Sequence, residues 1–209
     1  MDKKHIITIA GSLGSGKSST AKKVAGTLGY EHYSTGDFMR SIAESRGVSL
    51  GDLSKMAEND PSIDKQLDDH NLEIGNKNNI VLDSRLGFYF IPNSFKVFLE
   101  LDPFTAAERI LEDKKNNPNR GKEATGSFDT KESIIEKTTK RLLSEKKRYK
   151  ELYQIEDSTS PLNFDLVINT KEIPIEKVSE KIITEYNNWL SVASKERSCD
   201  VISQNKNNL

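Results

Sequence analysis

The stretch "HIITIAGSLGSGKS", residues 5–18, joins a short apolar run to a glycine-rich loop. Gly11, four further residues, and then Gly16, Lys17 and Ser18 have the spacing of a phosphate-binding loop, or P-loop. Glycine permits backbone conformations that a Cβ would forbid, so successive N–H groups can surround one phosphate. Because a predicted strand precedes the loop and a helical pattern follows it, the context favours this interpretation over a glycine-rich turn with a surface lysine.

The residues of this loop predict ATP or GTP as a ligand, with Mg²⁺ beside it. Lys17 would bring a mobile positive charge to the β and γ phosphates, and Ser18 would offer its hydroxyl to the metal at the positive end of a helix. Asp83 ends the apolar run "NIVLD" and is a second candidate for the metal, although an aspartate at a strand end also caps turns. The predicted nucleotide-binding residues are Gly11, Ser12, Leu13, Gly14, Ser15, Gly16, Lys17, Ser18 and Ser19.

Strand-like segments alternate with helical patterns along the chain, which is typical of a parallel sheet built from βαβ units. Helical spacing follows the P-loop as far as Gly29, and Asp102 with Pro103 predicts the start of another helix. Two segments interrupt the alternation: residues 41–78, with two predicted helices split at Pro61, and the polar residues 112–130. The predicted strands are 5–10, 30–34, 79–83, 94–101 and 164–169.

Length and composition limit the class of protein. A chain of 209 residues predicts one domain over residues 1–192, and the sparsely apolar residues 193–209 predict a flexible tail. No apolar run reaches the roughly 20 residues that span a bilayer, and the start is not typical of a signal peptide, so we expect a cytoplasmic protein without a membrane partner. The net charge of −1 gives no field that would attract nucleic acid. We expect a monomer that binds small nucleotides.

A second polar segment, "STGDFMR" at residues 34–40, follows the second predicted strand. The carboxyl ends of parallel strands meet at one sheet edge, so this segment should lie near the P-loop. The forked guanidinium of Arg40 suits two oxygens of a phosphate better than a lysine does. The segment therefore indicates an acceptor that also carries phosphate, although an isolated arginine of this kind more often forms a surface salt bridge.

The motifs "GSLGSGKS", "STGDFMR", "VLDSRLG", "DPFTAAERI" and "SEKKRYKELY", in this order, resemble those of nucleoside monophosphate kinases, most closely archaeal-type cytidylate kinases and their bacterial relatives. The resemblance covers about residues 5–190. It implies a P-loop NTPase three-layer α/β fold with a five-stranded parallel sheet. It also implies a nucleoside monophosphate arm at about 38–75 and a lid at about 112–130.

The resemblance also implies roles for individual residues. Arg40 would bind the acceptor phosphate, Arg85 would bind the acceptor nucleotide, and Arg109, Arg141 and Arg148 would close on the transferring phosphoryl group or the adenine. Ser84 stands where many relatives have glycine, which leaves the shape of the base pocket open. The residues expected to bind the acceptor are Ser34, Gly36, Asp37, Arg40, Asp64, Asp68, Ser84 and Arg85.

Helical spacing is compatible with these roles. Arg141 and Arg148 are seven residues apart and so lie on one face of a helix, although "KRLLSEKKRYK" is basic throughout and is also typical of a solvated surface. Asp64 and Asp68 are four residues apart and are candidates for accepting the N4 amino group of cytosine. The alternative is that they solvate an exposed helix and pair with Lys65.

Three functions remain open at this point. The first is a kinase that transfers the γ-phosphoryl group of ATP to CMP or dCMP. The second is another small-molecule P-loop kinase acting on AMP, UMP or a non-nucleotide acceptor. The third is a nucleotide-gated binding ATPase. No catalytic histidine is predicted, because a phosphate monoester is mostly dianionic at neutral pH and needs no strong base.

Overall fold

The architecture is a five-stranded parallel sheet with the strand order β2-β3-β1-β4-β5. It is taken from a computed structural model that describes residues 5–116 and 130–206, with side chains described as far as residue 192. All five strands predicted from the sequence are present: β1 is shifted by one residue, and the other four are slightly shorter than predicted. They are β1 Ile6–Gly11, β2 Glu31–Ser34, β3 Ile80–Asp83, β4 Phe95–Glu100 and β5 Leu166–Asn169.

Helices cover both faces of this sheet, which confirms the predicted three-layer fold. Helices lie between successive parallel strands along the chain, and a last helix follows β5. A 3₁₀ turn at Pro161–Asn163 precedes β5. The described α-helices are α1 Lys17–Leu28, α2 Thr35–Ser45, α3 Leu50–Met56, α4 Pro61–Gly75, α5 Gly87–Phe90, α6 Pro103–Asn116, α7 Lys131–Tyr153 and α8 Ile175–Lys206.

The central strand β1 is buried on both faces, and its alternation divides the core in two. Ile7 and Ile9 pack with residues of α1 and α8, whereas Ile6 packs on the other face with Ile74 of α4 and Ile91. This period of two is the geometry of a strand between two helical layers. Rigid strands therefore support the loops at both ends of the sheet.

The arm, defined here as α2, α3 and α4, has a hydrophobic core of its own. Its buried residues come from all three helices and are Met39, Ile42, Ala43, Leu53, Ala57, Ile63 and Leu67. The sequence predicts only two helices in this region, split at Pro61. The structure confirms that boundary but adds a break after α2, because Gly47 adopts φ of 65° and Ser49 caps α3 by accepting a hydrogen bond from Asp52 N.

Two predicted segments lie partly outside the described residues. The predicted lid at 112–130 begins within α6, and its residues 117–129 are not described. The backbone of α8 continues to Lys206, into the predicted tail at 193–209, whose flexibility remains a prediction together with the domain boundaries. No helix in the described part of the chain is long and apolar enough to cross a membrane.

Candidate active site

A cleft of about 450 Å³ opens at the carboxyl ends of the parallel strands. Strand register creates it: Asp83 at the end of β3 lies opposite Ile9 of β1 on one side and Ser34 of β2 on the other. The P-loop, the first turn of α2, the inner face of α4 and parts of α6 and α7 complete the lining. Ligands of parallel α/β proteins bind at this edge of the sheet.

The P-loop is held against the sheet by backbone contacts. Ser12 N donates to Leu99 O at 3.0 Å, and the packing at Gly11 is so close that a Cβ would lie 2.6 Å from the same carbonyl oxygen. Gly14 and Gly16 adopt φ of 75° and 80°, which a side chain would strain. This conformation leaves the loop wrapped around the N-terminus of α1, the favourable end of a helix for a phosphate.

Three side chains join the P-loop to the end of β3. Lys17 Nζ forms an ion pair with Asp83 Oδ1, and Ser18 Oγ donates to Asp83 Oδ2 at 2.5 Å. Asp83 is 2% exposed, so its charge is stabilised mainly by these two neighbours. A buried carboxylate therefore lies beside the lysine and the serine that are predicted to meet the nucleotide phosphates.

The same residues fit a magnesium ion. Mg²⁺ takes oxygen ligands and is usually held by one or two protein groups together with substrate phosphates and water. The Ser18 hydroxyl and the Asp83 carboxylate supply such oxygens beside an anion-binding loop. The described residues contain no cluster of three or more histidine, cysteine and acidic side chains that could bind a metal without a phosphate.

Two arginines of the cleft share one carboxylate. Arg85 and Arg141 both pair with Glu145, whose Oε1 lies 2.9 Å from Arg141 Nε. Burial lowers the pKa of Arg85, and burial together with the charge of Arg85 lowers the pKa of Arg141 to about 10. Both guanidinium groups remain cationic at neutral pH, so the group forms a strongly basic, partly desolvated site that favours a dianion.

Arg148 and Asp64 form a second ion pair, between α7 and the arm. Arg148 Nε lies 3.1 Å from Asp64 Oδ2, but its N–H is not aimed at that oxygen, and both atoms are buried without a hydrogen-bond partner. Burial raises the pKa of Asp64, and the nearby charge of Arg148 opposes that rise. The pair therefore holds α4 against α7 through charge.

The remaining two predicted arginines have different surroundings. Arg40 pairs with Asp37 on the first turn of α2, and both side chains are exposed. Burial would raise the pKa of Asp37, but the hydrogen bond and charge of Arg40 outweigh it and hold that pKa below its usual value. Arg109 donates to the carbonyl oxygens of Thr170 and Lys171 at 2.7 and 2.8 Å, which fixes its guanidinium beside the loop after β5.

Asp68 meets a tyrosine from α7. Tyr153 Oη donates to both carboxylate oxygens of Asp68, at 2.9 and 3.0 Å. Burial, followed by the charges of Asp64 and Asp69, raises the pKa of Asp68, whereas the Tyr153 hydrogen bond and Lys65 lower it. Burial also raises the pKa of Tyr153, so the phenol remains a donor. Asp68 consequently has a fixed orientation and lone pairs left for a ligand.

The structure brings the predicted site residues into this one cleft, with the exception of Asp37, which does not line it. The three histidines, His5, His32 and His70, lie outside the lining as well. Ser34 caps α2 by accepting a hydrogen bond from Asp37 N, so the carboxylate of Asp37 is left to Arg40.

Sequence reasoning missed several polar residues of the lining, among them Glu145, Tyr153 and Asn71. Glu145 lies four residues after Arg141 on α7, a spacing that could have suggested the pair. Asn71 lies three residues after Asp68 on α4 and could have been included in the same helix face. Nothing in the local sequence indicates that Tyr153 contacts Asp68, because 85 residues separate the two.

Comparison with solved structures shows the fold. The chain is similar to the shikimate kinase of Bacteroides thetaiotaomicron, with a TM-score of 0.57 and 15% sequence identity over 89% of this chain and 98% of that one. It is also similar to the shikimate kinase of Acinetobacter baumannii, with a TM-score of 0.53 and 18% identity over 87% and 92% of the two chains. The scaffold is that of a P-loop kinase.

Sequence comparisons are more specific. A cytidylate kinase from Staphylothermus marinus is 36% identical over 87% of this chain and 95% of its own length, and one from Natronomonas pharaonis is 34% identical over 87% and 90%. An S-adenosylmethionine-dependent nucleotide dehydratase from Lacinutrix mariniflava is 31% identical over 86% of this chain, which spans only 35% of that relative. The model of the cytidylate kinase-like family matches residues 6–172. The chain therefore belongs to the cytidylate kinase-like family.

Proposed function

We propose that this protein transfers the γ-phosphoryl group of ATP to CMP or dCMP, giving ADP and CDP or dCDP. The observation that carries the proposal is the presence of two phosphate-binding groups in one cleft. The P-loop with Lys17 is one of them, and the arginines around Glu145 are the other. A kinase with a phosphorylated acceptor needs both, whereas an ATPase needs only the first.

On the donor side, backbone N–H groups of the P-loop would bind the triphosphate, and Lys17 would leave Asp83 to contact the β and γ phosphates. Ser18 and Asp83 would hold Mg²⁺, which neutralises phosphate charge. Arg109, whose guanidinium lies beside the loop after β5 and lines the cleft, would contact the adenine or the phosphates. The chemistry asks for alignment and charge neutralisation, and no general base is assigned.

On the acceptor side, Arg85 and Arg141 would exchange part of their contact with Glu145 for the monophosphate, and Arg40 would add a third guanidinium. Burial strengthens the contacts of Arg85 and Arg141, because partly desolvated charges interact more strongly than solvated ones. Arg148 is committed to Asp64 in this conformation. Asp64 is therefore the weaker candidate for reading the base, and Asp68, which keeps free lone pairs, is the stronger one.

Measurement of ADP release with a panel of acceptors tests this function. We expect CMP and dCMP to give the highest kcat/KM, followed at a distance by UMP, AMP and GMP. Preference for AMP, UMP or a non-nucleotide acceptor would favour the second function instead. ATP turnover that no acceptor accelerates would favour the nucleotide-gated ATPase. Reactions without acceptor give the background rate for each comparison.

The dehydratase relative does not change the proposal. This chain corresponds to about a third of that protein, so its name refers to a much larger molecule. Cytidylate kinases, by contrast, match this chain over almost their whole length. A monomeric state, a cytoplasmic location and the absence of nucleic acid among the partners remain predictions from the sequence.

Replacement of Arg40 by alanine should damage acceptor use specifically. Arg40 lines the cleft but contributes only an exposed ion pair to the fold, and exposed pairs are worth at most about 1 kcal/mol. We expect KM for CMP to rise about tenfold or more, because one charge-assisted contact to the phosphate is lost. KM for ATP should stay within about twofold, since its phosphates bind at the P-loop.

Arg46→Ala is the matched control for this prediction. Arg46 caps the same helix and pairs with Asp60, also near the surface, but does not line the cleft. Its kinetic constants should match those of the wild type. Equal increases in KM for CMP and ATP in Arg40→Ala would show that Arg40 supports the structure instead of the acceptor.

Replacement of Tyr153 by phenylalanine should change the pH dependence of CMP use. The Tyr153 hydrogen bond stabilises the charged form of Asp68, so its loss should raise the pKa of Asp68 further above the usual range. The acid limb of kcat/KM for CMP should therefore move to higher pH in Tyr153→Phe. The measurement is a pH profile of kcat/KM for both proteins.

Asp68→Asn provides the baseline for this experiment. The phosphate of CMP has its own pKa of about 6, and that limb should persist when Asp68 is replaced. If the acid limbs of Tyr153→Phe and the wild type coincide, the Tyr153 hydroxyl does not act through the charge of Asp68.

A further inference from the structure

Asn71 occupies a position in the cleft that the proposed function has not used. It lies on α4, is 3% exposed and lines the cleft together with Asp68, three residues earlier on the same helix. Thr35 Oγ1 donates to Asn71 Oδ1 at 2.9 Å, and Ser84 Oγ donates to the same oxygen at a longer 3.4 Å. Two hydroxyl groups from different parts of the chain therefore converge on one amide oxygen.

These contacts fix the orientation of the amide. A carbonyl oxygen accepts two hydrogen bonds, whereas an amide nitrogen can only donate, so Oδ1 must face the two hydroxyl groups and Nδ2 must face away from them. Among the described residues, Nδ2 has no hydrogen-bond acceptor. It is not among the buried side-chain atoms that lack a partner, so it is accessible from the cleft. Asn71 thus presents a hydrogen-bond donor to the cleft.

Asp68 presents the opposite group. Its carboxylate accepts a hydrogen bond from Tyr153 Oη and has further lone pairs available for a ligand. Residues three apart on a helix lie on the same face, so Asp68 and Asn71 offer the cleft an acceptor next to a donor. Cytosine has the complementary edge, with a donor at N4 and an acceptor at N3. Uracil has the reverse, with an acceptor at O4 and a donor at N3.

We propose that Asn71 is a specificity-determining residue that donates from Nδ2 to N3 of cytosine, while Asp68 accepts from the N4 amino group. The inference rests on the proposed function and names the pair of groups that would distinguish CMP from UMP. Uracil would bring its O4 against the carboxylate and its N3–H against the amide N–H, so both contacts would be mismatched. A site that leaves its buried polar groups unpaired rejects such an analogue strongly.

The test is to exchange the two groups. In the double variant with Asp68→Asn and Asn71→Asp, the carboxylate at position 71 still accepts from Thr35 and Ser84, and the amide at position 68 still accepts from Tyr153. Only the order of acceptor and donor along α4 is reversed. We expect the ratio of kcat/KM for CMP to that for UMP to invert in favour of UMP, measured at mildly alkaline pH where the new carboxylate stays ionised.

The single variant Asn71→Asp should lower kcat/KM for CMP about 10- to 100-fold and affect UMP much less, because one well-placed base contact is worth about that factor. If thermal unfolding shows that the double variant is not folded, the CMP to UMP ratio of Asn71→Asp alone tests the contact with the base. Asp69→Asn is the control: Asp69 is exposed, pairs with Lys65 and does not line the cleft, so the CMP to UMP ratio should stay unchanged.

The outcomes separate this inference from the proposed function. If Asn71→Asp and the double variant both keep the CMP to UMP ratio of the wild type, Asn71 does not contact the base. That result would leave the proposed kinase activity untouched. A wild-type protein that uses neither CMP nor UMP would overturn both. Inversion of the preference supports the inference, because a general loss of stability lowers both rates and cannot reverse their order.

Discussion

Replacement of Lys17 by alanine is expected to lower kcat for phosphoryl transfer by about 10²-fold or more. Electrostatic contacts to the charge that develops in the transition state are worth at least this much when they are removed one at a time. Lys17 is the lysine of the P-loop motif and the first residue of α1, and its side chain pairs with Asp83. The measurement is steady-state ADP formation with saturating ATP and CMP.

Two controls keep this result interpretable. Lys23→Ala removes a lysine of the same helix that pairs with Glu176 at the surface and does not line the cleft, and its kcat should equal that of the wild type. Thermal unfolding of Lys17→Ala should show whether the protein stays folded when the buried Asp83 loses the lysine and keeps only Ser18 as a hydrogen-bond donor. A folded Lys17→Ala protein with normal kcat would remove the P-loop lysine from the mechanism.

Replacement of Glu145 by alanine should have the largest effect on stability. Glu145 is buried and is the shared partner of Arg85 and Arg141, so its removal leaves two guanidinium groups side by side in a partly desolvated site. Breaking a buried ion pair from one side costs about 3–5 kcal/mol. Because both arginines keep some exposure, we expect a loss of about 2–3 kcal/mol in the free energy of unfolding, measured by urea denaturation without nucleotide.

Added phosphate should distinguish this explanation from a simple packing defect. An anion that binds between Arg85 and Arg141 replaces the missing negative charge, so inorganic phosphate or CMP should stabilise Glu145→Ala more than the wild type. Glu151→Ala, which removes an exposed glutamate of the same helix paired with Lys147, should cost less than about 0.5 kcal/mol. Stability of Glu145→Ala close to the wild type would show that the two arginines need no counter-ion.

The P-loop side of the cleft could be predicted from the sequence because its parts are local. The P-loop, α1 and the aspartate that ends β3 each carry a recognisable pattern, and parallel strands bring their carboxyl ends to one edge. The strands could be predicted for the same reason, because most of them are short apolar runs bounded by glycine or polar residues. The structure confirms these elements.

The side of the cleft that is lined by α4 and α7 depends on contacts that no local pattern encodes. Tyr153 meets Asp68 across 85 residues, and Thr35 meets Asn71 across 36, because α4 packs between the first turn of α2 and the end of α7. Periodicity shows which residues share a face of one helix but not which face another helix covers. Asp37 is a different case: it was expected near the acceptor but pairs with Arg40 three residues later on α2, a spacing that is visible in the sequence.

The separate hydrophobic core of the arm has a consequence for how such a protein can change. The proposed base-reading residues are carried by α4, whose Ile63 and Leu67 pack within the arm and whose last turn reaches β1 through Ile74, whereas the other face of β1 packs against α1 and α8. Substitutions in distant, independent clusters have nearly additive effects on stability. A lineage could therefore change the proposed base-reading residues of the arm, or an engineer could exchange them, while the P-loop and α1 keep their sequence.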